Sequence, residues 1–320
     1  MKLSVVVPIY KDSKFLEKFL QEMQRQELQD FELVLVLDTN GENNLRIIDS
    51  YKGFFQGRLA LIYNTKRSGR TRAIFDGVKK AKGSYVLICS VSDVVLKDAI
   101  KELVNLIVTQ PSDIIEFIPR MRSPIRFKGY LRKDFFKPIT LADNSSPIAY
   151  TFPFDFNKLF AREVLLRALE DTDYNKIINT RFAIIYVLKS FYYAKTYSNI
   201  SKKIIRSKLN NVVEISPLII AKQWEEMRHY IANKQNNLYI QEFDYLSYYH
   251  EVAVLTSFVA VLNRKSVVDK YRKYLQKQVE QYFGNKIDHN KYFLADNIET
   301  KAFREAKSFY DYSKLLKSLN

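Results

Sequence analysis

The chain has 320 residues, a length that predicts two domains or one large domain with an appendage. Hydrophobic residues make up 47% of it, which excludes a wholly disordered protein, and 51 Lys and Arg against 35 Asp and Glu give a formal net charge of +16. A charge of this sign favours anionic partners such as nucleic acid, an anionic lipid surface or a phosphorylated small molecule. The single cysteine, Cys89, excludes a disulfide framework and indicates a reducing compartment.

Membrane-spanning segments are not expected, because no apolar run reaches the roughly 18–20 residues that cross a bilayer. The longest candidate, Val252–Leu262, is interrupted by Thr256 and Ser257. The short apolar run after Met1 is not typical of a signal peptide. We therefore expect a cytosolic protein that meets a membrane only from its surface.

The first 120 residues alternate between apolar runs and amphipathic segments. These patterns predict five strands, Leu3–Val7, Leu33–Leu37, Leu59–Tyr63, Tyr85–Cys89 and Asp113–Ile118, and the first two are typical of strands buried on both faces. Apolar residues at helical spacing predict helices from Ser13, from Ser68-Gly69 and around Ile100–Ile107. Pro8 is expected to end the first strand. This alternation indicates βαβ units and an α/β fold with a mostly parallel sheet.

A binding site is predicted at one edge of this sheet, because ligands of open α/β sheets bind beyond the carboxyl ends of the strands. Three groups follow predicted strands and therefore meet at that edge: Pro8–Tyr10, Asp38 and Ser90–Asp93.

A basic segment follows the fifth strand. Residues 120–137 contain seven basic side chains and one acid, Asp134, and the aromatic residues between them are Phe127, Tyr130, Phe135 and Phe136. The segment is either a solvated loop or a surface for phosphates or anionic lipid headgroups.

The C-terminal part of the chain has a helical pattern from about residue 201. Ser216-Pro217, for example, is typical of a helix start. The sequence therefore predicts a ligand-binding domain of residues 1–200 and a mainly helical region of residues 201–320.

Four stretches carry a resemblance to a known family. They are Ser4–Tyr10 (SVVVPIY), Phe31–Asp38 (FELVLVLD), Gly83–Asp93 (GSYVLICSVSD) and Asn157–Phe160 (NKLF). In this order they resemble motifs of the family 2 glycosyltransferases, bacterial enzymes of the GT-A fold. The resemblance covers about residues 1–200 and implies a Rossmann-like domain that binds a nucleotide sugar.

The resemblance also implies site residues. It assigns Asp38 to the imide N–H of uracil, Pro8, Tyr10 and Arg70 to the remainder of the donor, and Ser92 to the ribose. Asp93 matches the ligand of a Mg²⁺ or Mn²⁺ ion that bridges the diphosphate and neutralises the leaving nucleoside diphosphate.

Simpler interpretations of the two acids remain open. Asp38 is also compatible with a turn residue before Thr39-Asn40-Gly41. Asp93 is also compatible with the cap of a helix near Val94–Leu96.

Several positions depart from the family pattern. Leu37, Ser90 and Ser92 stand where acids are usual. The general base of an inverting transfer lies some twenty residues after N-K-L in relatives, and that spacing falls here on Asn179-Thr180, neither of which is a competent base. The remaining candidates for the base are Asp171, Asp173 and Asp155.

The expected function is therefore an inverting, metal-assisted transfer of a hexose from a UDP-sugar to a lipid or envelope-glycan acceptor. The protein would act at the cytoplasmic membrane face, bound peripherally to an anionic surface. The altered acids leave an alternative, a non-catalytic GT-A-like partner of another glycosyltransferase. The interpretation as a basic nucleic-acid-binding protein is supported by charge alone, because the sequence has no recognisable nucleic-acid-binding motif. We therefore expect no nucleic-acid partner.

Overall fold

The computed structural model describes residues 1–10, 13–38, 42–65, 68–122, 126–127, 129–173, 182–208, 217–234, 238–255, 265–278, 286 and 288–295. The chain divides into two compact units. Unit 1 comprises Met1–Asn144 and Phe152–Glu214, and unit 2 comprises Ser145–Thr151 and Ile215–Asn320.

Unit 1 contains two sheets. Its strands are β1 (Leu3–Ile9), β2 (Phe31–Leu37), β3 (Leu59–Tyr63), β4 (Tyr85–Ile88), β5 (Val94–Val95), β6 (Ile114–Phe117), β7 (Arg120–Arg122), β8 (Arg126–Phe127), β9 (Ile139–Thr140), β10 (Lys158–Ala161), β11 (Thr196–Ile200) and β12 (Ile205–Lys208). The large sheet has the order β3-β2-β1-β4-β10-β6-β11-β9, and the small sheet has the order β5-β12-β7-β8. Strands β1 to β4 are parallel, whereas β10 runs antiparallel between β4 and β6.

The helices of unit 1 are α1 (Ser13–Gln24), α2 (Glu42–Phe55), α3 (Arg70–Lys80), α4 (Ala99–Thr109), α6 (Arg162–Glu170) and α7 (Ile184–Tyr193). Those of unit 2 are α5 (Ser146–Tyr150), α8 (Pro217–Ala232), α9 (Ile240–Tyr248), α10 (Lys265–Gln278) and α11 (Lys291–Leu294). The predicted fold class is confirmed, because a mostly parallel sheet is flanked by helices and the C-terminal region is helical. Strand β12 lies beyond residue 200, so the sheets of unit 1 extend past the division that the sequence predicted.

Helix α3 lies directly on the sheet at a glycine. A Cβ at Gly77 would come within 2.5 Å of Val6 Cγ1 and 3.1 Å of Val36 Cγ2, so only glycine lets the helix backbone approach β1 and β2 this closely. The opposite face of β1, with Val5 and Val7, belongs to a buried core that includes Leu16 of α1. This packing fixes the start of α3 beside the carboxyl edge of the parallel strands.

The expectation that Pro8 ends the first strand is wrong, because β1 continues to Ile9. Pairing of β1 with β4 stops at Val6 opposite Ile88, whereas pairing with β2 continues to Ile9 opposite Leu37. The missing N–H of Pro8 therefore falls on the side where β4 has already ended, and no ladder hydrogen bond is lost.

Unit 2 has a buried polar network of its own. Arg228 pairs with Glu251 at 2.7 Å, and the hydroxyl of Tyr274 donates to the same carboxylate at 2.7 Å. Burial raises the pKa of Glu251, and the charge of Arg228 opposes that shift. The Tyr-rich stretch Asp244–Tyr249 is largely buried here, which fits packing between helices. Within the described ranges we find no helix with the length and apolarity to cross a bilayer.

Candidate active site

The carboxyl ends of β1, β2 and β4 carry the predicted site residues at one edge of the large sheet. Tyr10 follows β1 and is 36% exposed, whereas Pro8 lies within β1. Asp38 follows β2, and the Ser90–Asp93 turn follows β4. The parallel pairing of these neighbouring strands brings the three groups to the same edge.

Asp38 fixes the turn that leads into α3. One carboxylate oxygen accepts hydrogen bonds from the backbone N–H of Ser68 at 2.8 Å and from the Ser68 hydroxyl, and the other accepts from Gly69 N–H at 2.8 Å. Gly69 has a φ of 90°, which favours glycine. Asp38 is 3% exposed. Asp38 therefore stabilises the turn that precedes α3. The turn that the sequence suggested, Thr39-Asn40-Gly41, lies outside the described residues.

Arg70, the first residue of α3, turns away from solvent and joins a buried network. Its Nη2 lies 2.7 Å from Asp155 Oδ2, and the hydroxyl of Tyr186 donates to the same oxygen at 2.6 Å. Burial alone would lower the pKa of the Arg70 guanidinium, but Asp155 and Tyr186 raise it above its usual value. The structure thus pairs a predicted donor-binding residue with a predicted candidate base.

A second buried network explains the N-K-L stretch. The Lys158 ammonium is wholly buried, lies 3.3 Å from Glu116 Oε1, and donates to the backbone carbonyls of Phe152 and Phe154. Asn157 Nδ2 donates to Glu116 Oε1 at 3.0 Å. Burial lowers the pKa of Lys158, and Glu116 opposes that shift. The stretch therefore holds residues 152–156, including Asp155, against the sheet.

Asp93 joins the loop after β4 to the end of β12. One of its oxygens accepts from Ser90 N–H at 2.8 Å, and the other accepts from the Ser207 hydroxyl at 3.0 Å and from Lys208 N–H at 3.2 Å. The Ser92 hydroxyl donates to the Lys208 carbonyl at 3.3 Å. The alternative of a helix cap is wrong, because Val94–Val95 is strand β5 and α4 begins only at Ala99.

The donors around Asp93 do not match a divalent-ion site. Both carboxylate oxygens of Asp93 accept hydrogen bonds from the protein, and the residue is 2% exposed. The two nearby positions at which the family pattern has acids are occupied by Ser90 and Ser92. In the described part of the chain, no three His, Cys, Asp or Glu side chains are grouped to hold an ion. Mg²⁺ or Mn²⁺ at Asp93 therefore stays a prediction that the donor set does not favour.

The three candidate bases have different surroundings. Asp155 is 1% exposed and bound to Arg70 and Tyr186. Asp171 follows α6, is partly exposed, and accepts from the Tyr193 hydroxyl at 2.9 Å. Asp173 is exposed. The family's usual position, Asn179-Thr180, lies outside the described residues.

Helix α6 connects β10 to Asp171 and Asp173. The chain enters α6 at the amino end of β4, where Arg162 N–H donates to Ser84 and its guanidinium to Val78 and Lys79 carbonyls at the end of α3. Helix α6 packs on α3 and spans nine residues, or about 13 Å at 1.5 Å per residue. Asp171 at its end contacts Tyr193 and Lys189 in the second half of α7, whereas Tyr186 near the start of α7 contacts Asp155 beside Arg70.

The basic segment is only partly a surface. Phe135 is buried and lies edge-on to Tyr197 at 5.8 Å, so it is no membrane anchor. Tyr130 and Phe136 are 43% and 49% exposed. Lys128 and the side chains of Arg126 and Phe127 lie outside the described residues.

Comparison with known proteins identifies the family of this site. A family model described as glycosyl transferase family 2 matches residues 4–169, just over half of the chain. The chain belongs to glycosyl transferase family 2. The four stretches of resemblance and the edge that carries Tyr10, Asp38 and Asp93 all lie within the matched residues.

Two curated glycosyltransferases are similar to this chain over part of their length. The glycosyltransferase GlyG of Streptococcus pneumoniae is 28% identical over 113 residues, which are 35% of this chain and 37% of that protein. The poly(ribitol-phosphate) beta-N-acetylglucosaminyltransferase TarS of Staphylococcus aureus is 28% identical over 118 residues, 36% of this chain and 20% of that protein. The chain thus matches well under half of the length of either relative.

Solved structures of family 2 enzymes and other glycosyltransferases share the fold. S. aureus TarS 1–349 in complex with UDP gives a TM-score of 0.69 at 18% identity, covering 100% of this chain and 91% of that one. The mannosyltransferase PcManGT of Pyrobaculum calidifontis, solved with GDP-Man and Mn²⁺, gives 0.59 at 13% identity, covering 99% and 84%. Divalent metals are common in GT-A enzymes, as the second complex illustrates.

Proposed function

We propose that this family 2 protein transfers a hexose from a UDP-sugar to a lipid or envelope-glycan acceptor, with inversion. The observation that carries the proposal is the gathering of Tyr10, Asp38 and the Ser90–Asp93 turn at one edge of the sheet. The choice of UDP is supported by TarS, a structural neighbour solved with UDP and with UDP-GlcNAc.

Donor recognition is assigned to the ends of β1 and β2. Tyr10 is exposed enough to contact a base with its ring. Asp38 is held in place by Ser68 and Gly69, and its Oδ2 accepts from the Gly69 N–H, which leaves this oxygen a second lone pair for the N3–H that uracil has and cytosine lacks. Arg70 points into the core, so its contribution to the donor site is to fix the start of α3.

The reaction requires one base. The acceptor hydroxyl oxygen bonds to the anomeric carbon while the bond from that carbon to the β-phosphate oxygen breaks, and that electron pair leaves with UDP. The acceptor proton passes to a carboxylate. We assign this role to Asp171 or Asp173, because Asp155 is buried and already accepts from Arg70 and Tyr186.

The acceptor is assigned by charge and by relatives. TarS is named for a poly(ribitol-phosphate) acceptor, an anionic polymer. A chain with a net charge of +16 suits such an acceptor or an anionic lipid surface. We therefore place the protein peripherally at the cytoplasmic membrane face, with residues 120–137 as the contact.

Donor choice is tested by calorimetric titration with UDP, GDP, ADP and CDP. We expect UDP to bind most tightly. Asp38→Ala should weaken UDP by about 1.5–3 kcal/mol, the range for a charge-assisted hydrogen bond, and should erase the preference for UDP over CDP. Ser68→Ala removes one donor to Asp38 but keeps the carboxylate, so it should retain that preference. An unchanged UDP-to-CDP ratio in Asp38→Ala would refute the assignment.

Membrane contact is tested by co-sedimentation with vesicles. We expect binding to anionic but not zwitterionic vesicles, and loss of binding in high salt. At about 1 kcal/mol per lysine near the surface, the double change Lys133→Ser and Lys137→Ser should weaken binding at least tenfold. Lys97→Ser with Lys101→Ser removes the same charge from another exposed surface and should have little effect. Equal loss in both double variants would show that general charge, and not this segment, is responsible.

A further inference from the structure

Lys208, the last residue of β12, has its main chain fixed at the candidate site. Its N–H donates to Asp93, its carbonyl accepts from Ser92, and Ser207 beside it donates to Asp93. The two partners are 116 and 115 residues away along the chain. The end of β12 is therefore held against the loop that follows β4, at the edge where ligands of this fold bind.

The side chain of Lys208 extends from the end of β12 towards α1. Its ammonium lies 4.9 Å from the ring centroid of Phe15, in the first turn of α1, which follows β1. Strands β1 and β4 are paired neighbours. A positive charge is thus placed beside the carboxyl ends of these strands, the edge where ligands of this fold bind, and it suits the diphosphate of a donor.

The charges of this region favour such a role. Ser90 and Ser92 are neutral, and Asp93 accepts three hydrogen bonds from the protein. A diphosphate that leaves during transfer needs a compensating positive charge, and lysine can supply it as a compact point charge.

We infer that Lys208 binds the diphosphate of the donor, in place of a divalent ion, and that Asp93 is the positioning residue that fixes Lys208. The inference rests on the proposed function. As the bond between the anomeric carbon and the β-phosphate oxygen breaks, the electron pair remains on UDP, and the Lys208 ammonium faces the charge that develops there. The acceptor proton passes to the carboxylate base as before.

The test is titration of the full chain with UDP in EDTA and again with Mg²⁺ or Mn²⁺. We expect UDP to bind in EDTA, with either ion changing its dissociation constant by less than about threefold. Lys208→Ala should weaken UDP at least tenfold, the minimum for a lost charge-assisted hydrogen bond. Uridine, which lacks the diphosphate, should bind the variant as well as the wild type by saturation-transfer NMR.

Control variants separate charge from folding. Lys80→Ala removes an exposed lysine from the last turn of α3 and should leave UDP binding unchanged. Lys208→Arg keeps the charge and should retain most of the affinity. Asp93→Asn should reduce UDP affinity in EDTA. The carboxylate oxygen that accepts from the Ser90 N–H would be replaced by an NH₂ donor, so the residue would no longer hold this loop and Lys208 together.

The outcomes distinguish this inference from the proposed function. If EDTA abolishes UDP binding and Mg²⁺ or Mn²⁺ restores it, the inference is overturned while the proposed function stands. Equal weakening of UDP and uridine by Lys208→Ala would show a merely structural lysine and would also overturn it. If UDP binds under none of these conditions, both fall.

Discussion

Lys158→Met is expected to lower the free energy of unfolding of unit 1 by about 3–5 kcal/mol, the cost of removing one partner of a buried ion pair. Methionine has a similar shape, but it leaves the Glu116 carboxylate buried without its cation and the carbonyls of Phe152 and Phe154 without their donor. Urea-dependent hydrogen exchange of unit 1 peptides, followed by mass spectrometry, measures the change, because far-UV circular dichroism sums both units. The single tryptophan, Trp224, lies in unit 2, so its fluorescence would report on the wrong unit.

The matched control is Lys202→Met. Lys202 pairs with Glu102 at 2.5 Å, but its side chain is 57% exposed. A surface pair of this kind contributes little, so the change should stay within about 0.5 kcal/mol. Adding Glu116→Gln to Lys158→Met should recover part of the loss, because it removes the orphaned charge. Strictly additive effects of the two changes would contradict the ion-pair account.

Asp155→Asn is the second change with a large expected effect. It keeps the shape of the side chain but leaves the charge of Arg70 in the core without its counter-ion, which should cost about 3 kcal/mol. Tyr186→Phe removes only the neutral donor to the same oxygen and should cost about 1 kcal/mol. Because Arg70 opens α3 directly after the Ser68-Gly69 turn that holds Asp38, Asp155→Asn should also weaken UDP binding.

A different result would assign Asp155 a different role. If Asp155→Asn unfolds at the same urea concentration as the wild type but loses sugar transfer, Asp155 acts as the base and not as the partner of Arg70. Arg70→Met added to Asp155→Asn should restore stability in the first case, since both charges are then gone. It should not restore transfer in the second.

The parallel part of the fold follows from the sequence because its strands are apolar on both faces. The predicted strand Leu59–Tyr63 has the bounds that the structure shows, and the others shift by at most two residues at either end. A buried strand needs only a run of β-branched and aliphatic residues, which is local information. Asp38 and Ser90–Asp93 could be placed at the carboxyl edge on that ground alone.

Strand β10 was not predicted, because its first residue is Lys158, and a lysine is almost never fully buried unless it is paired. Its pairing with Glu116 depends on contacts across 42 positions of the chain, which no local pattern reveals. Pro8 led to the opposite error, a strand end predicted too early. The position at which β4 stops pairing with β1 is not encoded in the sequence of β1 itself.

The partners of the predicted site residues cannot be predicted from local sequence patterns either, because they lie far away along the chain. Asp93 meets Lys208, and Arg70 meets Asp155 and Tyr186, only after the chain has folded. The resemblance therefore identifies positions but not the contacts of their side chains. It assigns Arg70 to donor binding, whereas in the structure the Arg70 guanidinium is buried against Asp155. Lys208 had only one signal in the sequence, its place in a short basic run after residue 201.

The central claim is transfer from a UDP-sugar, and release of UDP measures it most directly. Wild-type protein is incubated with UDP-glucose, UDP-galactose or UDP-GlcNAc, with and without poly(ribitol phosphate) or a bacterial lipid extract. Released UDP is quantified, and the mass of the acceptor is measured by mass spectrometry. The account predicts UDP release from at least one donor that rises about tenfold or more with acceptor, together with an increase in acceptor mass equal to one or more residues of the sugar that this donor carries. If UDP binds but no donor and acceptor pair yields UDP or product, the protein is a non-catalytic partner and the claim is wrong.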